Sequence, residues 1–307
     1  MSSTRTVAAI DCGTNSIRIL VASAGPDGRL VEHARDLELV RLGQGVDATG
    51  SFHPDALKRT FAACRTFAQI IADYHCDRVR FVATSAARDV SNRDAFFMGI
   101  REALGVEAEV IDGEEEASLS FAGAISGVQV TDEPVLVMDC GGGSTELVLG
   151  YGTTIDSQAS LNIGSVRLRE RFLHDDPPTA DQIDAARRYV RGVVESCPVD
   201  VASARTVIGV AGTVTSLSAM YQGLVEYDRT KVHRSVLPAS QISDLADKLL
   251  SSTVDDVERM GPLKRRRAEV LCGGALIIDE VCRRTTVGEL VVSETDILDG
   301  MALAMLA

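Results

Sequence analysis

The chain has 307 residues, 45% apolar and 24% charged, with a formal net charge of −13. That length supports two domains of ordinary size with cores of their own, and the acidic balance argues against a dedicated nucleic-acid binder, which carries a basic footprint. No apolar run reaches the ~18 residues that span a bilayer, and MSSTRTVAAIDCG puts a polar turn where a signal peptide needs its apolar core, so the expectation is a cytoplasmic protein without a membrane partner.

In chain order, Arg5 to Asp11 and Ser16 to Ala22 read as a strand pair around a glycine turn, and GPDG at Gly25 as a second turn. Leu30 to Leu42 supplies further strand before GQGVDATG breaks the pattern. Phe52 to Tyr74 is helical by the spacing of Leu57, Phe61, Cys64, Phe67, Ala68 and Ile71, with Pro54 in its first turn. Val79 to Ala83 is a short buried strand, and TSAARD a loop of small residues that reaches Arg88. On its own that arginine reads as a surface ion pair. Asp94 to Leu104 forms a helix and Glu107 to Ile111 a strand.

DGEEEASLSFAG follows, with Glu114, Glu115 and Glu116 at a helix start. The macrodipole favours acids there, yet three exceed what a helix start requires, and successive residues point about 100° apart, so one or two can face any given site. Gly123 to Glu133 reads as a loop-rich crossing. Val135 to Gly150, VLVMDCGGGSTELVLG, is strand, tight turn, strand. Its consecutive glycines allow N–H groups to converge on an anion, or serve turn geometry alone. Asp139 and Glu146 add two carboxylates that suit a hard cation such as Mg²⁺ or Mn²⁺ bound through phosphate oxygens and water.

Thr154 to Asn162 continues the sheet, and SVRLRERF carries Arg167, Arg169 and Arg171, which share a face on a strand but spread around a helix. Thr179 caps a helix whose periodic run extends from Ile183 to Val194. Thr206 to Ala211 is a buried strand feeding AGTVTSLSAM, in which Gly212 turns the chain and Thr213 begins a helix, a second kind of anion site. KRRR at Lys264 to Arg267 opens the helix Ala268 to Cys282; cations oppose the dipole there and want compensation. Glu289 to Ser293 is a strand, and Asp296 to Leu306 a terminal helix. The seven cysteines form no C-x-x-C pair and read as free buried thiols.

The turn occurs twice. IDCGTNSIRIL from Ile10 matches MDCGGGSTELV from Met138 in register at Asp, Cys, Gly and Ser, so Asp11 is the counterpart of Asp139 and the chain is a candidate duplication with a ligand held between its halves.

These stretches, with VATSAARD, IDGEEEASLSFAG, GVAGTVTSL and SETDILDGMAL in that order, resemble the exopolyphosphatase/guanosine pentaphosphate phosphatase family, a branch of the actin, sugar kinase and Hsp70 ATPase superfamily. The resemblance covers nearly the whole chain. It implies an α/β fold of two actin-like (ribonuclease H-like) domains with a cleft between them: residues 1–127 with the terminal helix 296–307 packing back, and 128–295. Longer members carry a C-terminal helical module that this sequence does not contain. The resemblance also implies hydrolysis of the terminal phosphoanhydride of polyphosphate, with guanosine pentaphosphate as the alternative substrate, in a homodimer. An actin-like ATPase or a sugar kinase is a further alternative. The family's catalytic base maps to Glu116, with Glu115 as fallback. Phosphate binding maps to Gly13, Thr14, Asn15, Ser16, Arg88, Gly141, Gly142, Gly143, Ser144, Thr145, Gly212 and Thr213, and a divalent cation to Asp11, Asp139 and Glu146.

Overall fold

A computed structural model describes residues 5–88 and 90–307 and divides the chain into two units, Met1–Gly123 with Ile297–Ala307, and Ala124–Asp296. In the first, strands β1 (Thr6–Cys12), β2 (Ile17–Ala24), β3 (Leu30–Glu38), β4 (Arg78–Ala83) and β5 (Ala108–Val110) form a sheet of order β3-β2-β1-β4-β5. Its helices are α1 (Val46–Thr49), α2 (Pro54–Asp73), α3 (Ser85–Arg88) and α4 (Arg93–Leu104), and the division falls inside α5 (Gly113–Gly127). Pro54 stands at the first position of α2, where no N–H is needed.

The second unit repeats the layout. Strands β6 (Val135–Cys140), β7 (Thr145–Tyr151), β8 (Thr154–Leu161), β9 (Thr206–Val210), β10 (Val236–Pro238) and β11 (Glu289–Val292) order as β10-β11-β9-β6-β7-β8. Read from the hairpin outward, β8-β7-β6-β9-β11 matches β3-β2-β1-β4-β5, with the same antiparallel pairs followed by parallel ones. Around this sheet lie α6 (Ser165–Arg171), α7 (Ala180–Glu195), α8 (Ala211–Tyr221), α9 (Arg229–Val232), α10 (Ala239–Leu250), α11 (Val254–Arg259) and α12 (Arg265–Cys282). α12 buries Asp279 and Glu280 at 1% exposure each. Arg187 bonds both and Arg191 bonds Glu280, tying α7 to α12 by charge-assisted contacts that satisfy carboxylates otherwise costly to bury. No described helix is long and apolar enough to cross a membrane.

The last helix, α13 (Ile297–Leu306), belongs to the first unit. Its Ile297, Leu298, Met301, Ala302 and Met305 share a core with Val7, Ala9 and Leu20, and Asp299 takes two hydrogen bonds from Arg35 of β3. Gly300 allows the approach to α5, since a Cβ there would sit 2.0 Å from the Leu119 carbonyl oxygen.

Two readings of loop need correction, and one left open is decided. α5 does not end in a loop at Gly123 but runs to Gly127; buried Phe121 and Ala124, and Thr295 pressed against Gly127, hold a stretch whose glycines weaken it in isolation. TSAARD contains the helical turn α3 rather than a plain loop, and Asp89 lies outside the described residues. The arginines of α6 spread around a helix and serve local fastening: Arg169 donates to the carbonyls of Leu173 and Asp175, and Arg171 to Tyr189. Gly192, in α7, has open space where a Cβ would stand. Gly192→Ala is therefore expected to stabilise the protein by about 0.5–1 kcal/mol, read as a higher midpoint in thermal unfolding.

Candidate active site

Parallel strands deliver their C-terminal ends to one sheet edge, the usual place for a ligand in α/β folds. In the first unit Cys12 is level with Ala83, and Ala83 with Val110, so the turn at Gly13–Ser16, the segment opening at Thr84 and the start of α5 leave the sheet together. The turn closes through Gly13 N–H to the Ser16 carbonyl, 2.9 Å. Thr14 Oγ1 lies 2.9 Å from Ser85 Oγ, tying the turn to α3. At the other end of α3, Arg88 donates through Nη2 to Glu116 Oε2 and through Nε to the Ile111 carbonyl, 3.2 Å. Glu116 is 9% exposed. The hydrogen-bonded chain thus runs from the turn through Ser85 and along α3 to the glutamate.

The structure separates the two glutamates. Arg80 draws Glu115 away in a 2.6 Å ion pair, together with Glu109 at 3.0 Å. The bond to Glu109, and that to Glu115, hold the Arg80 guanidinium firmly charged. Glu115 is thus the partner of Arg80, and Glu116 that of Arg88.

The turn is rich in donors. Among the described residues the N–H groups of Thr14, Asn15 and Ser16 have no acceptor, while the Thr14 and Asn15 carbonyls accept from Gly43 and Arg41 at 2.8 and 2.9 Å. Asn15 is 4% exposed, and among the described residues neither its Oδ1 nor its Nδ2 has a hydrogen-bond partner. Buried amides are rarely left so, and three free N–H groups around such a side chain suit an anion. Asp11 is opposite Arg18 across the hairpin and takes two hydrogen bonds from it, at 2.6 and 3.1 Å.

In the second unit β6, β9 and β11 are the parallel strands. Gly141 N–H closes the turn on the Ser144 carbonyl at 3.0 Å, and the N–H groups of Gly142, Gly143 and Ser144 have no acceptor among the described residues. The turn's carbonyls cap α6: Gly141 accepts from Ser165, and Gly142 from Val166 and Arg167. Thr145 gives its hydroxyl proton to the Ile163 carbonyl at 2.7 Å and is fully buried, so its side chain holds the turn in place. At the start of α8, Ala211 has φ +68°, and the Arg267 guanidinium lies on Gly212, where a Cβ would come within 2.4 Å of it. A cation thereby joins the N-terminal end of an eleven-residue helix. Thr213 is 1% exposed and packs on Gly274, leaving its backbone rather than its hydroxyl for a ligand.

Asp139 and Glu146 stand opposite each other across the second hairpin, 8% and 1% exposed, with Ser160 donating to Glu146 at 2.7 Å. Like charges buried side by side repel, and a divalent cation relieves this. No cluster of three or more His, Cys, Asp or Glu suited to a metal occurs among the described residues, so such a cation would complete its shell with phosphate oxygens and water, as Mg²⁺ commonly does. The residues fit that ion. Asp11, in the first unit, accepts from Arg18 instead of facing a second carboxylate across its own hairpin.

Cysteine chemistry is disfavoured. Burial pushes the Cys12 thiol well above its ordinary range and the Cys140 thiol up to about 12, with Asp139 and Glu146 adding to the latter, so neither supplies a thiolate near neutral pH.

Sequence reasoning missed Ser85 and the role of Arg18. Alignment of the two turns already set Arg18 against Glu146, and that offset was the available signal.

Comparison with known proteins bears on this geometry. A model described as the Ppx/GppA phosphatase family matches residues 23–307, and exopolyphosphatase 2 of Mycobacterium tuberculosis is 46% identical, over 97% of this chain and 98% of that protein. The chain belongs to the Ppx/GppA phosphatase family. The crystal structure of an exopolyphosphatase-like protein superposes with a TM-score of 0.94 at 42% identity, covering 99% of this chain and 98% of that one. The guanosine-5'-triphosphate,3'-diphosphate pyrophosphatase of Photobacterium profundum is 29% identical over 98% of this chain and 59% of its own length. The two repeated sheets are those of the actin-like fold of Ppx/GppA proteins.

Proposed function

We propose that the protein is an exopolyphosphatase that removes the terminal phosphate of inorganic polyphosphate as orthophosphate. The observation that carries this is the Arg88–Glu116 pair at the edge of a turn with three unengaged N–H groups. Terminal phosphate oxygens accept from those N–H groups and from Arg88. In taking Arg88 they release Glu116 from its ion pair. Glu116 then orients a water molecule and accepts its proton as the oxygen attacks phosphorus in line with the bridging oxygen, which departs with the shortened chain. Charge growing on the phosphate oxygens meets donors already aimed at them.

Ppx/GppA phosphatases generally depend on a divalent cation. Asp139 and Glu146 would hold it, as Mg²⁺ or Mn²⁺, and it would neutralise phosphate oxygens. Asp11 is assigned to orienting Arg18.

The same groups could serve the terminal phosphate of guanosine pentaphosphate, a reading favoured by the Photobacterium relative. The deciding experiment compares orthophosphate release from polyphosphates of several lengths, guanosine pentaphosphate and ATP under one set of conditions with Mg²⁺. Polyphosphate is expected to give the highest kcat/KM. Faster release from the pentaphosphate would move the assignment to that substrate, and transfer of phosphate from ATP to a sugar would overturn both.

A further inference from the structure

Resting on the polyphosphatase reading, we infer that Arg41 is a further substrate-binding residue, brought to the first turn by a strap of chain and paired with Asn15 to hold a phosphate. The sequence pattern continues the third strand through this position, but β3 ends at Glu38 and the chain then bends back over the turn. Arg41 N–H donates to the Asn15 carbonyl at 2.9 Å and Gly43 N–H to the Thr14 carbonyl at 2.8 Å. Val40 and Leu42 on either side are buried in the core, and Arg59 of α2 clamps the strap by donating to the Val40 carbonyl at 2.8 Å and to Gln44 Oε1 at 3.1 Å. Space at Gly43 is closed, since a Cβ would stand 2.2 Å from Thr14 Cγ2. The strap has one place to lie.

Within this fixed segment Arg41 has φ +51°. The left-handed region is strained for a residue with a Cβ, and glycine escapes that cost. A turn needed only for its geometry would place glycine there, as Gly45 and Gly50 do at +70° and +63° just downstream. An arginine kept in that conformation implicates its side chain, since backbone strain of this kind gathers at functional sites.

Asn15 states what is bound. Among the described residues its buried amide has no partner for the Nδ2 donors or for the Oδ1 acceptor. A phosphate alone satisfies the first and leaves the second. A phosphate together with a guanidinium satisfies both: the phosphate oxygen accepts from Nδ2, and the guanidinium donates to Oδ1 and to the phosphate. Arg41, bonded through its backbone to Asn15 itself, is the arginine assigned to supply that guanidinium. The ligand class is a phosphate of the polyanion, and Arg41 adds a cation to a turn that otherwise offers neutral donors.

The test uses the full-length enzyme with Arg41→Gly, which removes the cation and relieves the backbone. Three readings are taken: the thermal midpoint, steady-state kinetics on polyphosphate, and tripolyphosphate affinity by calorimetry. The variant is expected to melt at or above the wild-type temperature and to bind tripolyphosphate about tenfold more weakly or worse, the weight of one charge-assisted contact, with the kinetic loss falling mainly on KM. Asn15→Ala added to Arg41→Gly should weaken binding less than it does alone. Wild-type affinity and KM in a well-folded Arg41→Gly would overturn the assignment while leaving the polyphosphatase reading intact. If Arg41→Gly melts lower, Arg41→Gln decides, with an unchanged KM refuting and a raised KM supporting. Wild-type enzyme that binds tripolyphosphate but releases no phosphate from any chain would instead remove the functional reading.

Discussion

Replacing Glu116 with glutamine is expected to lower kcat on polyphosphate by about 10²- to 10⁴-fold, the usual contribution of a general base, with KM unchanged or reduced. The direction of the KM effect follows from the ion pair. In the wild-type protein Arg88 is held by Glu116 and the substrate must compete for it; a neutral amide holds the guanidinium less firmly, so phosphate meets a more available cation. Steady-state kinetics with a thermal melt check this. A variant that keeps most of its turnover would remove Glu116 as base, and one whose loss lies wholly in KM would recast it as a positioning partner for Arg88. Glu115→Gln is the informative control. It loses an ion pair to Arg80 at a half-exposed site, and surface pairs of this kind contribute little.

The second large effect is expected from Gly164→Ala. Gly164 has φ −155° and ψ 164°, an extended conformation that any residue adopts. The constraint is space: a Cβ would lie 2.5 Å from the carbonyl carbon and oxygen of Gly142 and from the Gly143 nitrogen. All three are backbone atoms of the second turn and cannot swing aside like a side chain. A methyl group must push that turn away from the start of α6, breaking the bonds from Val166 and Arg167 to the Gly142 carbonyl and displacing the N–H groups of Gly142 and Gly143. Overpacking of this kind costs about 1–3 kcal/mol, and a turn moved by even 1 Å loses about 10²-fold in activity where positioning governs catalysis. A lowered melting temperature together with a collapse of kcat/KM is the expected result. Unchanged kinetics in a folded variant would show that the second turn does not contact substrate.

Much of this was written in the chain. A four-residue turn fixes the register of the strands it joins, so the match between Asp11–Arg18 and Asp139–Glu146 could be read from the two glycine turns, and the repeated sheets follow. Glu116 could be placed among three acids only by resemblance; what separates it from Glu115 is Arg80, thirty-five residues upstream and adjacent only after β4 and β5 pair. Arg267 over Gly212 and the strap over Asn15 are likewise contacts between distant segments that no local periodicity announces. The stretch from Gln222 to Pro262 gave no reading. Its short elements are held by contacts such as Ser218 with Ser235 and Arg229 with Glu294, and by burial of Val232 and Leu237, none of which shows in composition or spacing.

The placement of α13 has a consequence for how the protein is made. During synthesis the strands of the first unit emerge early, yet the apolar face formed by Val7, Ala9 and Leu20 is covered by residues from Ile297 onward. Until that segment has been made, the face stays open to water or to a chaperone while the second unit completes its own core. Order of translation and order of maturation therefore diverge, and strands made before the second unit are sealed only by residues made after it.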